Sequence, residues 1–487
     1  MKLRRIMIAA PKSGSGKTTI TCALLQTLKS MGQQVVSYKC GPDYIDPMFH
    51  QQVIGVPAKN LDTFFTGEEE TRRLFLNGRT PEDMAVLEGV MGLFDGLGGI
   101  REEGSSYHLA KVTRTPIILV LDAKGMGRSV LPAIAGFLSY DPEHLIRGVI
   151  LNRMSKGYYE IVKPLIEDEL GICVLGYFPE NKSLTIESRH LGLQMPGEIS
   201  GIVKRLQEAA NTLQMTVSVE KVLEIAGEAE ELVEADGPAE RVADTEADSV
   251  EDGGNVRQDT ETAPILAVAR DEAFCFYYED NLRLLREFGA DIQYFSPIHD
   301  TSLPQGCSGI LLGGGYPELY AEALSQNTAM HQAIGQAFSD GMPVVAECGG
   351  FMYLHSELRD RSGRSYPMAG VLPGTCHDTG KLVRFGYIEL EARGEQLQEV
   401  QSQPELQPFL PAGQRIRCHE FHYFDSTDNG NGCTAVKPTT GRSYPCIVTG
   451  KNYWLGFPHL YYPSNPIFAE NLVKCLSEYE QTRRRKE

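Results

Sequence analysis

Pro343 to Tyr353 reads PVVAECGGFMY: small and β-branched residues lead into Glu347-Cys348-Gly349-Gly350, and a helical pattern follows. That order suits a nucleophile elbow, in which a buried strand presents one side chain at a sharp turn and a helix begins beyond it. The N-H groups of such a helix favour a thiolate at Cys348. Upstream, Gly309 to Leu312 reads as a strand ending in Gly313-Gly314-Gly315, whose backbone N-H groups are suited to holding an oxyanion. Downstream lie two histidine sites, His419/His422 and His459, and either His422 or His459 could take the thiol proton. A cysteine elbow, an oxyanion turn and a distant histidine make the arrangement of a thiol amidohydrolase.

A second chemistry is written near the N-terminus. After a strand at Arg5 to Ala10 comes PKSGSGKTT, with Gly14, Gly16, Lys17, Thr18 and Thr19 where a phosphate-binding loop needs them. Backbone N-H groups would wrap phosphate, Lys17 would reach the terminal phosphates, and Thr18 offers a hydroxyl to Mg²⁺. Pro11 stands where the first glycine of that pattern belongs. Lys12 precedes the glycines, and the loop resembles the deviant ones of dethiobiotin synthetases and partition ATPases. Asp43 and Asp46 lie three residues apart in a Gly/Pro-punctuated loop after the second strand, the edge at which open α/β sheets bind ligands. Glu88, inside the otherwise apolar strand Ala85 to Val90, is costly there unless it serves a cation or a hydrogen-bond network. Asn152 closes another strand, where its amide suits an adenine edge, and Ser188-Arg189-His190 form a polar cluster suited to gripping an anionic substrate.

The elements that must position these residues fall into two α/β domains. Strands and helices alternate over 1–215, which predicts a doubly wound, mostly parallel sheet. Residues 216–262 turn acidic and lack aromatics, and read as a linker that is at best partly helical. Order returns over 263–475, where Phe385 to Leu390, Arg417 to Phe424 and Tyr453 to Tyr461 alternate like antiparallel strands, and 476–487 reads as a charged tail. The net charge of −18 is mostly local, because Glu228 to Glu261 holds 13 acidic residues and two arginines. With no basic stripe outside Arg483 to Lys486, nucleic-acid binding is not expected. No apolar run is long enough for a membrane helix, and the N-terminal Ile6 to Ala10 feeds a glycine loop, so it reads as a strand rather than a signal peptide. Eleven cysteines scattered without a CxxC pair point to a reducing cytoplasm.

Longer motifs narrow the reading. In most class I glutamine amidotransferases a carboxylate follows the catalytic histidine by two residues, but that position here is Tyr461. The runs GGGYPE, AECGGFMYL, His419 to Tyr423 (HEFHY) and the lone His459-Leu460 together resemble the cobalamin-pathway amidotransferases. GPDYIDPMFH, EGVMGLFDG, SRHLGL and RDEAFCFYY in turn resemble the cobyrinate a,c-diamide synthase family, over nearly the whole chain apart from the linker. Cys418 stands where that family usually has glycine before HEFHY.

The resemblance implies a dethiobiotin-synthetase-like first domain and a class I amidotransferase second domain. Glutamine would be hydrolysed at Cys348 with His459 as base and Gly314, Gly315 and Gly349 shaping the oxyanion and glutamine site. ATP would be held by Lys12, Gly14, Gly16, Lys17, Thr18, Thr19 and Asn152, and Mg²⁺ by Thr18, Asp43 and Glu88. Asp46 and Asp95, with Tyr44, would lie at the substrate carboxylate, and Ser188, Arg189 and His190 would grip the ring. The partners implied are a cobyrinate-type tetrapyrrole, glutamine and ATP, with a homodimer allowed and neither nucleic acid nor membrane required. Sequence logic leaves Ni-sirohydrochlorin open as the tetrapyrrole. More remotely, it leaves open a partition-type ATPase carrying a degenerate amidotransferase domain.

Overall fold

The computed structural model describes residues 1–181, 201–232, 263–394 and 409–485, and the backbone of 188–189 and 192–193. The chain forms two compact units that divide between Asp236 and Gly237.

The first unit is built on seven parallel strands: β1 (Arg4–Ala9), β2 (Val35–Cys40), β3 (Ala58–Leu61), β4 (Met84–Glu88), β5 (Ile117–Asp122), β6 (Ile146–Asn152) and β7 (Cys173–Phe178). Their order is β3-β2-β4-β1-β5-β6-β7. β1, β2, β4 and β5 are buried along nearly their whole length, as expected of a parallel sheet with helices on both faces. The chain winds through β2 and β3 on one side of β1 and through β5 to β7 on the other. The direction therefore reverses beside β1, where doubly wound sheets place their ligands. Two helices leave that edge, α1 (Lys17–Ser30) after β1 and the short α2 (Ile45–Phe49) after β2. The two-residue strands β8 (Ser188–Arg189) and β9 (Gly192–Leu193) pair antiparallel, and β9 runs beside α2.

The supposed linker begins later than its composition suggests. After the helix Ile202–Thr216, a second helix, Val219–Gly227, buries Val219, Val222, Ile225 and Ala226 and lies against β1. Its apolar residues recur at helical spacing, a signal masked by the flanking acids. The fully buried Arg5 then ties the chain down by donating to the carbonyls of Leu3, Thr113, Arg114 and Glu230 at 2.6–3.1 Å. The remainder of the expected linker, 233–262, lies outside the described residues.

In the second unit, β10 (Ile265–Ala269) leads into the short β11 (Phe274–Phe276), then β12 (Asp291–Phe295), β13 (Cys307–Leu312), β14 (Gly314–Gly315) and β15 (Val344–Glu347). Residues β16 (His355–Arg359), β17 (Ser365–Pro367) and β18 (Leu372–Asp378) follow, then β19 (Arg384–Ala392), β20 (Arg415–His422), β21 (Phe424–Ser426), β22 (Cys433–Val436) and β23 (Ser443–Cys446). The last strands are β24 (Val448–Thr449), β25 (Tyr453–Gly456) and β26 (His459–Leu460). The main sheet has the order β12-β10-β13-β15-β25-β24, and a five-stranded antiparallel sheet has the order β23-β22-β19-β20-β26.

Two expectations change here. Tyr453 to Tyr461 does not run as one antiparallel strand: β25 pairs parallel with β15, the chain turns at Phe457-Pro458, and β26 pairs antiparallel with β20. The expected tail from residue 476 is instead the end of the helix Ile467–Arg484. Leu476 is buried there, and Glu480 accepts from Ser308 at 2.7 Å while bridging Arg483 and Arg484.

Candidate active sites

In the second unit the strand β15 ends at Glu347 and the helix Gly349–Leu354 begins after a single intervening residue. Cys348 between them adopts φ +45°, ψ −103°, a strained backbone for a side chain with a Cβ. The turn is pinned by Cys348 N-H to the Gly456 carbonyl at 2.8 Å and by Gly350 N-H to the Gly313 carbonyl at 2.9 Å. Gly349 packs so tightly that an added Cβ would lie 3.1 Å from Gly315 N and 2.9 Å from Pro317 Cδ. On the other side of the glycine turn, a Cβ on Gly314 would collide with His459 Cε1. Cys348, Gly314, Gly315, Gly349 and His459 are thus brought together.

Tyr277 organises the turn: its hydroxyl accepts the Gly313 N-H at 2.9 Å and donates to the Ala269 carbonyl. Of the triple glycine, Gly313 is therefore already spoken for. The two rival histidines are packed differently. His422 bonds the Phe424 carbonyl through Nδ1 at 2.6 Å and stacks on Phe457 with ring centres 4.0 Å apart. His459 lies instead beside the glycine turn, stacked on His419, with Nδ1 4.0 Å from Glu347 Oε2. Tyr461 turns away, donating its hydroxyl to Asp280 at 3.0 Å.

The ionisation of the pair departs from expectation. Burial, with Glu318 nearby, pushes the Cys348 thiol well up, which outweighs its backbone hydrogen bond at the helix start. Burial likewise lowers His459 to about 3. The resting pair is a neutral thiol and a neutral imidazole, so the helix terminus does not by itself supply a thiolate. The imidazole is correspondingly free of a proton and able to accept one.

In the first unit, Gly14 and Gly16 turn the loop at positive φ. Lys17 Nζ donates to the carbonyls of Lys12 at 3.3 Å and Met91 at 2.5 Å, while Lys12 itself is exposed. Thr18, at the start of α1, donates its hydroxyl to Glu88 Oε1 at 2.6 Å, and Thr19 follows in the same turn. Strand register sets Lys39 directly beside Glu88, and Lys39 Nζ reaches Glu88 at 2.9 Å and Asp46 at 2.5 Å. Asp43 caps the start of α2 by accepting from Ile45 N-H, and burial with Asp46 nearby raises it to about 7. Asp95 Oδ2 accepts the Gly92 N-H at 2.9 Å, within electrostatic reach of Lys17. Burial and the neighbouring Lys39 lower Lys17 to about 8.

Asn152 donates to the Ser15 carbonyl at 2.8 Å and packs over Gly16, so in this state it braces the phosphate loop. Tyr44 is buried at the head of α2. Ser188 and Arg189 are described only as backbone, and His190 lies outside the described residues.

Two residues central to this geometry carry weak sequence signals. Lys39 stands next to last in β2, and its register with Glu88 reveals one of its two partners. Glu347 is masked by standing next to the nucleophile.

A family model described as the CobQ/CobB/MinD/ParA nucleotide binding domain matches residues 6–193, and one described as the CobB/CobQ-like glutamine amidotransferase domain matches 265–453. The cobyrinate a,c-diamide synthase of Dehalococcoides mccartyi (strain CBDB1) is 35% identical over 98% of this chain and 99% of its own. That of Caldanaerobacter subterraneus is 36% identical, covering 94% of this chain and 95% of the relative. That of Listeria innocua is 38% identical over 88% of each. A phosphate loop and a cysteine elbow on two α/β units, with this likeness over both, show that the chain belongs to the cobyrinate a,c-diamide synthase family.

Proposed function

We propose that this chain amidates the a and c carboxylates of cobyrinate, using ATP and ammonia released from glutamine. The observation that carries this is the meeting of Cys348 with Gly314, Gly315, Gly349 and His459 in a chain that also holds a phosphate loop ringed by Lys17, Lys39, Asp46, Glu88 and Asp95.

At the elbow, His459 takes the thiol proton as sulfur attacks the glutamine carboxamide carbon, and the N-H groups of the glycine turn hold the oxyanion. The proton returns to the departing nitrogen as ammonia, and water then releases glutamate from the thioester. In the other unit the substrate carboxylate attacks the ATP γ-phosphorus to give an acyl phosphate, and ammonia displaces phosphate to form the amide. Lys17 and Lys39 offset the negative charge that this transfer gathers, and Asp46 and Asp95 position the carboxylate and the incoming nitrogen.

The residues present fit a magnesium ion. Glu88 Oε2 is buried without a hydrogen bond, 3.5 Å from His50 Nε2, and a hydroxyl and a second carboxylate lie close by. Among the described residues no three His, Cys, Asp or Glu side chains are grouped to hold a metal ion alone. Thr18, Glu88 and Asp43 would therefore share it with phosphate oxygens and water, the usual habit of magnesium. When bound, it supplies charge neutralisation at the transferring phosphoryl group.

Among the described residues no helix is long and apolar enough to cross a membrane. The proposal needs neither membrane nor nucleic acid, is compatible with a homodimer, and assigns the chain to the cytoplasm. The test is to supply the purified chain with ATP, Mg²⁺ and glutamine and compare cobyrinate with Ni-sirohydrochlorin. Conversion of cobyrinate to its a,c-diamide is expected. Turnover of Ni-sirohydrochlorin alone would overturn the assignment of substrate.

A further inference from the structure

We propose that Glu347 is the positioning carboxylate for His459, taking from the strand before the nucleophile the part that a residue after the histidine plays elsewhere in class I amidotransferases. This rests on the reading of Cys348 and His459 as the glutamine-hydrolysing pair.

Glu347 Oε2 lies 4.0 Å from His459 Nδ1, while Oε1 accepts the N-H of the next residue, Leu460, at 3.4 Å. The carboxylate thus straddles the His-Leu segment. It is aimed there because β15 pairs in parallel with β25, and only Phe457 and Pro458 separate β25 from that segment. Two groups near the ring do not serve. Tyr461 is committed to Asp280, and His419 is stacked face to face on His459, tilted by only 14°, with its Nδ1 bonded to the Tyr278 hydroxyl. A stacked ring cannot accept an N-H that lies in the plane of its neighbour.

The role follows from the tautomer the chemistry needs. To take the thiol proton on Nε2, neutral His459 must carry its hydrogen on Nδ1, and an acceptor there fixes that tautomer and stabilises the imidazolium that forms. At 4.0 Å the contact exceeds a hydrogen bond, and such contacts commonly tighten when substrate is bound. A plain structural role explains Glu347 poorly. It is a buried acid compensated by one long backbone hydrogen bond, where an apolar residue would be cheaper.

A pH signature follows. Burial raises Glu347 to about 8, so the carboxylate that orients His459 forms only as pH rises through that value. The other titratable groups in its reach are Cys348, Cys418, Tyr277 and Tyr462, all pushed up by burial and neutral in that range. Glutaminase activity should therefore climb as pH rises through about 8.

The test is steady-state glutaminase of the full chain from pH 6 to 9.5, for the wild type and Glu347→Gln, with a thermal melt of each. Glutamine keeps an oxygen for the Leu460 N-H but cannot ionise. The expected result is a wild-type kcat/KM that rises through about pH 8. In Glu347→Gln, kcat falls by roughly 10²-fold or more with KM little changed, and the rising limb disappears. A Gln variant with wild-type kcat and the same limb would show that Glu347 only holds Leu460, leaving the glutaminase reading intact. A wild type flat across pH 8 would also overturn the role. A wild type that hydrolyses no glutamine at any pH would overturn this role together with the reading beneath it.

Discussion

Gly314 is the residue where the second unit's geometry is least forgiving, since any Cβ there meets the His459 ring. Gly314→Ala should lower glutaminase kcat by about 10²-fold or more through displacement of that ring, as misplaced catalytic groups do. Near-normal hydrolysis of glutamine by this variant would separate His459 from the site. In the first unit Lys17 offers a pH test. Its free value near 8 should rise when phosphates bind, so ATP binds best below pH 8 and weakens as pH climbs above it. Up to tenfold in Kd per pH unit is expected, and a titration calorimetry series with constant Kd from pH 7 to 9.5 would contradict it. Asp95→Asn should stop amidation while glutamine hydrolysis continues, and normal diamide yield would remove Asp95 from the reaction. At this scale Cys348, the glycine turn and the phosphate loop were legible because each is a local run of residue types with one physical use. Lys39 and Glu347 were not, because their partners are distant in sequence and only strand register makes them neighbours.

The parallel strands of both units could be read from β-branched runs, whereas the four-residue β3, with its polar Lys59 and Asn60, gave no such run. The antiparallel expectation for Tyr453 to Tyr461 failed because alternation does not reveal direction: one apolar stretch feeds two sheets, broken at Phe457-Pro458. The helix Val219–Gly227 is hidden in the sequence because the acidic residues around it mask its buried apolar stripe. Arg5 marks where that element is fastened. Arg5→Met should leave four backbone carbonyls short of a donor and destabilise the first unit by about 3 kcal/mol or more, read from denaturant unfolding. An unchanged unfolding midpoint would show that the segment near Glu230 is not held by it.

For the whole molecule, two units carry two chemistries, and the acidic stretch joins them in sequence. Excision should be tolerated only beyond the packed helix. Removing 233–262 is expected to preserve both half-reactions, whereas removing 219–262 exposes the face of β1 and should abolish ATP-dependent amidation with loss of folding in the first unit. Equal behaviour of the two deletions would refute this boundary. The proposed reaction divides its labour: nitrogen is released at Cys348 and used beside the phosphate loop. Cys348→Ala assayed for diamide formation with glutamine and, separately, with ammonium salt measures it directly. Glutamine-dependent amidation should be abolished and ammonia-dependent amidation largely retained; equal loss of both would contradict this division.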